Sequence, residues 1–410
     1  MQSGPSLRRI LIWAAGVLVG VQSAIIAVLA FVSELRKRRA PPAGFPHERR
    51  LITEVDGNDI RIYTYGQDLY NSMLAAIDGA RETIFLETFI WKGDALGKTF
   101  KERLARKAAE GVRVFVIFDS FGNLVVPRKF KRFPATIHTL EFRTLERAWY
   151  LLDPRRYARD HRKLLIVDNQ IAFVGGFNIG KLYATEWRDT HLRIRGPAAL
   201  DLAHAFVDFW NNNRDLRVPI EPILDRPWPR QIKLQSNDPA RLVFPIRGMY
   251  LEAIERAQHH IYVTNAYFIP DRVILSALIA AAQRGVDVRV LLPWQSNHVT
   301  ADWLARGFFG TCLRSGVRIF GYQNAMIHAK TATIDGQWST VGTANLDRLS
   351  LAGNYEINTE IYDAEFAAEM ERVFEIDLTN AFELTLDRWA RRAWYIRLSE
   401  KILSPLWPLL

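Results

Sequence analysis

The sequence predicts an α/β protein built from two similar halves with pseudo-twofold symmetry, preceded by one transmembrane helix. Three observations predict it: an uncharged apolar run near the amino terminus, a histidine–lysine motif that occurs twice, and short apolar strands alternating with helical stretches around each copy. The expected organisation is a membrane anchor over 10–32, a first half over 51–211, a linker over 212–245, a second half over 246–385 and an amphipathic tail over 386–410.

The anchor comes first. Ile10 to Val32 is 23 residues without a charge. At about 1.5 Å per residue it reaches about 35 Å, enough to cross a bilayer with some tilt. It is longer than the apolar part of a cleaved signal peptide, and no clear small-x-small cleavage site precedes Glu34. Arg8 and Arg9 precede the span, whereas Arg36, Lys37, Arg38 and Arg39 follow it, which keeps the bulk of the chain on the cytoplasmic side.

The body contains a duplication. His161-Arg162-Lys163 leads to Asp168 and His328-Ala329-Lys330 leads to Asp335, each an H-x-K-x4-D motif. Gly175 and Gly342 lie 14 residues after their histidines, Asn178 and Asn345 17 after, and the acids Asp189 and Glu356 28 after. Upstream, Ala76 to Ala80 leads into Thr83 to Leu86, and Ala253 to Ala257 leads into Ile261 to Val263. Gly111 and Gly285 each stand between a helical stretch and a strand-like run, as a helix C-cap does. Alternate side chains of a strand share a face, so each histidine points the same way as its lysine. Asp168-Asn169 and Asp335-Gly336 are turn-forming pairs, and the return strand brings each asparagine back beside its histidine. The proline-bearing stretch from Asn211 to Pro245 reads as the linker.

The composition fits a packed core, with 49% hydrophobic and 24% charged residues in a chain of 410. The formal charge of +10 favours an anionic partner, and charge alone does not choose between nucleic acid and an acidic membrane face. Cys312 is the one cysteine, which excludes an internal disulfide; its apolar, basic surroundings do not mark a nucleophile.

Each half thus offers a histidine, a lysine, an asparagine and a later carboxylate. Histidine can attack or carry a proton near neutral pH, and two can divide those tasks. Lysine and the asparagine amide suit the non-bridging oxygens of a phosphodiester. A carboxylate on the second imidazole nitrogen fixes the tautomer and stabilises the imidazolium; Asp189 and Glu356 are the candidates. The expected chemistry is a double displacement: His161 attacks phosphorus, His328 protonates the first alcohol as it leaves, and a second alcohol takes the group. No metal or cofactor is expected, because the lysines neutralise the phosphate and the spacing is not that of a zinc helix. Asp168 and Asp335 read as turn or backbone anchors rather than proton donors.

On these residues, roughly Leu51 to Phe382, the sequence resembles the phospholipase D superfamily with its duplicated HKD motif, and within it the bacterial cardiolipin synthase branch. The resemblance implies two similar α/β halves with one active site between them and a phosphohistidine intermediate. It implies His161, Lys163, Asn178, His328, Lys330 and Asn345 as site residues, with Asp168 and Asp335 mainly structural. Many members carry Gly-Ser before the motif's asparagine; here the pairs are Gly175-Gly176 and Gly342-Thr343, so Thr343 alone brings a hydroxyl. The implied activity is transfer of a phosphatidyl group from phosphatidylglycerol to a second phospholipid alcohol in a bacterial inner membrane, with phosphatidylethanolamine as a further candidate substrate. The same motifs also serve phospholipases that use water and nucleases that cut nucleic acid. A lipid at an anionic membrane surface is favoured over nucleic acid by three features: the anchor, the insertion Arg128 to Phe133 with Trp149 to Arg156, and the tail bearing Trp389, Trp394, Tyr395 and Trp407 among cations.

Overall fold

The computed structural model describes residues 44–48, 51–143, 157–213, 218–223, 228, 230–394 and scattered positions within 17–35 and 397–402. Two eight-stranded sheets dominate them. In the first half the strands are β1 (Leu51–Val55), β2 (Asn58–Tyr63), β3 (Thr83–Thr88), β4 (Arg113–Asp119), β5 (Ile137–Phe142), β6 (Lys163–Val167) and β7 (Ile171–Gly175). The short β8 (Trp187–Arg188) and then β9 (His191–Arg195) follow. The order across the sheet is β1-β2-β9-β7-β6-β3-β4-β5, antiparallel except for the parallel pairs β3–β4 and β4–β5.

The second half repeats this plan with β10 (Ile232–Ser236), β11 (His260–Asn265), β12 (Asp287–Pro293), β13 (Arg318–Tyr322), the short β14 (Met326–Ile327), β15 (Lys330–Ile334), β16 (Trp338–Gly342), β17 (Ile357–Tyr362) and β18 (Ala381–Leu384). Its order is β10-β17-β16-β15-β11-β12-β13-β18. From β2 to β5 and from β10 to β13 the two orders match strand for strand. The first sheet adds β1 at one edge and the second adds β18 at the other.

Central strands are buried on both faces, as continuous apolar runs such as Leu164–Val167 require. Helices Gly66–Gly79 and Ala95–Ala109 cover the outer face of the first sheet, and Asp94 caps the second of them by accepting from Gly97 N–H at 3.0 Å. Arg272–Gln283 and Val299–Arg314 do the same for the second sheet. Between the halves, one hydrophobic core joins Val174, Ile194 and Phe206 to Val341, Ile357 and Phe366. The motif strands form the expected hairpins. Asp168-Asn169 and Asp335-Gly336 all have φ between 51° and 61°, the left-handed turn that joins β6 to β7 and β15 to β16.

Two expectations need correction. The stretch read as a linker contributes β10, the edge strand of the second sheet, so that sheet begins at Ile232 rather than after 245. An edge strand needs only one buried face, and Ile232 and Leu234 supply it within an otherwise polar run. Trp389, read with the membrane-facing tail, is buried against Phe309 at 5.4 Å in the second half's core, with Arg392 4.1 Å above its ring. Among the described residues no helix is long and apolar enough to cross a membrane. The expected span 10–32, the insertion at 149–156 and the tail's last residues fall largely outside the described residues.

Candidate active site

The site is built where the halves cross. β8 pairs in parallel with β14, and Asp160 bridges Tyr355, so the segment before each motif histidine is stitched to the opposite half. His161 N–H donates to Tyr355 O at 3.0 Å, and His328 N–H donates to Arg188 O at 2.6 Å. Both acceptors stand 27 residues after a motif histidine, but in the other copy. The fully buried Arg188 locks this crossing: its guanidinium grips Asp377 of the second half at 2.8 and 2.6 Å.

The next residue in each half is the acid. Glu356 accepts from His161 Nδ1 at 3.0 and 3.1 Å, and Asp189 accepts from His328 Nδ1 at 2.6 Å. Each imidazole is therefore oriented by the carboxylate of the other half. The spacing had marked both acids without revealing this exchange.

His161 and His328, with Asn178 and Asn345, line one cavity of about 310 Å³ between the halves. Lys163 Nζ donates to His161 O at 2.7 Å, and Lys330 Nζ reaches His328 O and lies 2.8 Å from His328 Nδ1. Asn178 Oδ1 accepts from Ile90 N–H at 3.1 Å, which leaves its NH2 for the cavity, while Asn345 Oδ1 is buried without a partner. Thr343 does not line the cavity. Its hydroxyl donates to Glu356 Oε2 at 2.6 Å and accepts from Ile357 N–H at 2.9 Å, so it braces the acid.

Asp168 and Asp335 lie away from the cavity. Asp168 accepts from the N–H groups of Arg81, Glu82 and Thr83 at 2.8 to 2.9 Å, and Asp335 from those of Gln258, His259 and His260 at 2.7 to 2.8 Å. Each ties its hairpin turn to the strand beside it.

The electrostatics follow from burial. Burial, then Lys163 and Lys330, hold His161 well below the usual histidine range; burial and Lys330 push His328 down to about 3. Burial lowers Lys163 to about 8 and Lys330 to about 7. It raises Glu356 to about 8 despite Lys163. Burial also opposes ionisation of Asp189, but Lys330 and His328 outweigh it and hold this acid below its ordinary value. By itself the site therefore offers two neutral imidazoles and cations that an incoming anion would strengthen.

Sequence reasoning missed the rest of the wall, which includes Phe89, Arg159, Trp187, Tyr267, His298 and Asp347. Phe89 packs edge-on against His161 at 4.8 Å, and Trp187 lies 5.1 Å from His328. Only position could have flagged them, since Phe89 and Tyr267 each follow a central strand directed at the site. Among the described residues no cluster of acids, histidines and cysteine could hold a metal ion.

A duplicated histidine–lysine site on two crossed sheets is the pattern of a known family, and a family model described as cardiolipin synthase, PLD-like domain, matches residues 73–210 and 250–378. The chain belongs to this family. It is 32% identical over 375 residues to the cardiolipin synthase of Listeria welshimeri, covering 86% of this chain and 76% of that one. The match to the cardiolipin synthase of Clostridium perfringens is 33% over 373 residues, with 87% and 78% covered. Among solved structures, the phosphatidylserine synthase of Haemophilus influenzae shares the fold with a TM-score of 0.65, at 13% identity over 92% of this chain and 97% of that one. The shared fold thus reaches beyond the residues that the family model matches.

Proposed function

We propose that this chain is a phosphatidyltransferase that makes cardiolipin by double displacement in the cavity between its halves. The observation that carries the reading is the pair of crossed dyads, His161 with Glu356 and His328 with Asp189, facing one cavity in a chain of the cardiolipin synthase family. Two positioned imidazoles supply the nucleophile and the proton carrier that transfer between two alcohols requires.

In the first step His161 Nε2 bonds to the phosphorus of phosphatidylglycerol, and the phosphorus–oxygen bond to glycerol breaks. The departing oxygen takes a proton from His328. In the second step the hydroxyl of another phosphatidylglycerol gives its proton back to His328 and attacks phosphorus, returning the electron pair of the phosphorus–nitrogen bond to His161. Lys163, Lys330 and the two asparagine amides hold the non-bridging oxygens as charge develops. His161 is the natural attacking group, its side chain being 13% exposed against 6% for His328.

The work is done at an anionic bilayer, with residues 10–32 as a single-pass anchor and the body on the cytoplasmic side. Leu124 and Val125, at 70% and 82% exposure, stand on a turn whose Asn123 side chain is tied to Phe89 O in the cavity wall, with exposed Arg128 and Lys129 nearby. Apolar tips flanked by cations suit the headgroup layer of an acidic membrane.

The test is turnover of labelled phosphatidylglycerol in vesicles by the wild type, His161→Ala and His328→Ala. Cardiolipin from the wild type and from neither variant is expected. Phosphatidic acid as the sole product would refute transfer to a lipid and make water the acceptor. Cardiolipin from either variant would refute the shared site.

A further inference from the structure

Transfer between two phosphatidylglycerol molecules brings two phosphodiesters into one cavity. One reacts. The other belongs to the acceptor and stays intact, one glycerol unit from the attacking hydroxyl. The duplicated lysines and asparagines account for the first, because they cluster around the two histidines.

The cavity wall itself carries a fixed cation outside the duplicated set, whereas neither motif lysine lines it. Arg159 lies two residues before His161, whereas the matching position before His328 is Met326. The second half clamps its backbone: Arg159 N–H donates to Asn354 Oδ1 at 3.1 Å, and its carbonyl accepts from Tyr355 N–H at 3.0 Å. Its guanidinium lies 3.9 Å over the Phe121 ring and is only partly buried. Among the described residues no hydrogen bond or ion pair occupies that guanidinium; Asp119 and Asp347 act on it only as nearby charges. A charge held in place by stacking and backbone bonds, with its donor fork unspent, matches the bidentate geometry of a phosphate.

We propose that Arg159 binds the unreacting phosphate of the acceptor lipid and so selects a phospholipid over free glycerol or water as second substrate. The proposal rests on the phosphatidyltransferase reading above. During the second step the acceptor's own phosphodiester stays whole on Arg159 while its hydroxyl gives a proton to His328 and forms the new phosphorus–oxygen bond. The bond from phosphorus to His161 breaks at the same centre.

Free glycerol has the same reacting hydroxyl without the phosphate, so the two captures of one intermediate can be compared directly. Full-length enzyme in phosphatidylglycerol vesicles with radiolabelled glycerol reports both. Label entering phosphatidylglycerol measures capture by glycerol, and cardiolipin measures capture by lipid. In Arg159→Met the ratio of cardiolipin to exchanged glycerol should fall about ten-fold or more, the size of one lost charge-assisted contact. Arg159→Lys should recover part of it, since the charge returns without the fork. A ratio within two-fold of wild type overturns the proposal, including the case where both products fall together as a structural role would require. A wild type that exchanges glycerol but makes no cardiolipin overturns the reading of transfer to a lipid acceptor and this proposal with it.

Discussion

The crossed dyads make Asp189→Asn the most informative single substitution. In the folded protein Asp189 Oδ1 accepts from Thr190 N–H at 2.8 Å, and Oδ2 accepts from His328 Nδ1 at 2.6 Å. The residue is 2% exposed, so neither bond can be replaced by bulk water. In the asparagine variant the carbonyl oxygen stays on Thr190 N–H, since only an acceptor can satisfy it, and the amide NH2 turns to His328. Nδ1 must then accept, which moves the imidazole proton to Nε2 and inverts the tautomer. His328 then lacks the carboxylate that stabilises the imidazolium needed to protonate the leaving glycerol, and its neutral form has no free Nε2 lone pair for the acceptor's proton.

One charge-assisted hydrogen bond is worth about 1.5–3 kcal/mol. Tautomer inversion adds to that, and together they should lower kcat roughly 10³-fold, or about 4 kcal/mol. The assay is cardiolipin formation in phosphatidylglycerol vesicles, with imidazole ¹⁵N shifts to read the tautomer and the thermal midpoint to confirm folding. Activity within three-fold of wild type would refute the reasoning, as would loss of activity with His328 still protonated at Nδ1. The affected ring belongs to the opposite half, so a shift change at His161 alone would refute the crossing.

Burial sets the pH profile: with Lys330 lowered to about 7 and Lys163 to about 8, kcat/KM should fall as pH rises through that range, because the free enzyme loses the ammonium charges. A bound phosphodiester favours those charges, so the alkaline limb of kcat should lie at higher pH than that of kcat/KM, and the reverse order would exclude the lysines as phosphate ligands. Asp168→Ala strands three backbone N–H groups and should cost about 2–3 kcal/mol of stability in denaturant titrations while kcat per folded molecule holds. A large drop in kcat with stability intact would give this aspartate a chemical role. Arg188→Met leaves Asp377 buried and unpaired and should destabilise by about 3–5 kcal/mol, with much of the loss recovered in Arg188→Met/Asp377→Leu; no recovery would place its importance elsewhere than in the pair.

The duplication was legible because equal offsets survive in the chain: histidine, lysine, asparagine and acid recur at the same spacing, and the hairpin follows from strand alternation and left-handed turn residues. The crossing was not, because offsets describe one half at a time. The decisive contacts join residues 139 and 195 positions apart, and β8 and β14, which set them up, are only two residues each. Arg159 escaped for the opposite reason: a search for matched positions passes over a residue whose counterpart is Met326. Trp389 shows the limit of composition, since an aromatic residue among arginines reads alike whether it faces lipid or, as here, packs on Phe309.

The departures from symmetry bear on the proposed mechanism. In the first half the acid is short and stands against Gly176, where a Cβ would come within 2.0 Å of Asp189 Oδ1. In the second half the acid is longer, and Thr343 at the matching position hydrogen-bonds it instead. The two histidines that divide the roles of nucleophile and proton carrier in the proposed mechanism face unlike acids. Asp189, held ionised by Lys330 and His328, is suited to stabilise His328 as an imidazolium once substrate phosphate offsets the lysine. Glu356, raised by burial to about 8, gives His161 little reason to become charged, and a neutral carboxyl still offers its carbonyl oxygen to Nδ1–H. In the proposed mechanism His161 is therefore the uncharged nucleophile and His328 the proton carrier; the contrast comes from burial, which raises Glu356 even against the Thr343 hydrogen bond, and from Lys330 and His328, which lower Asp189.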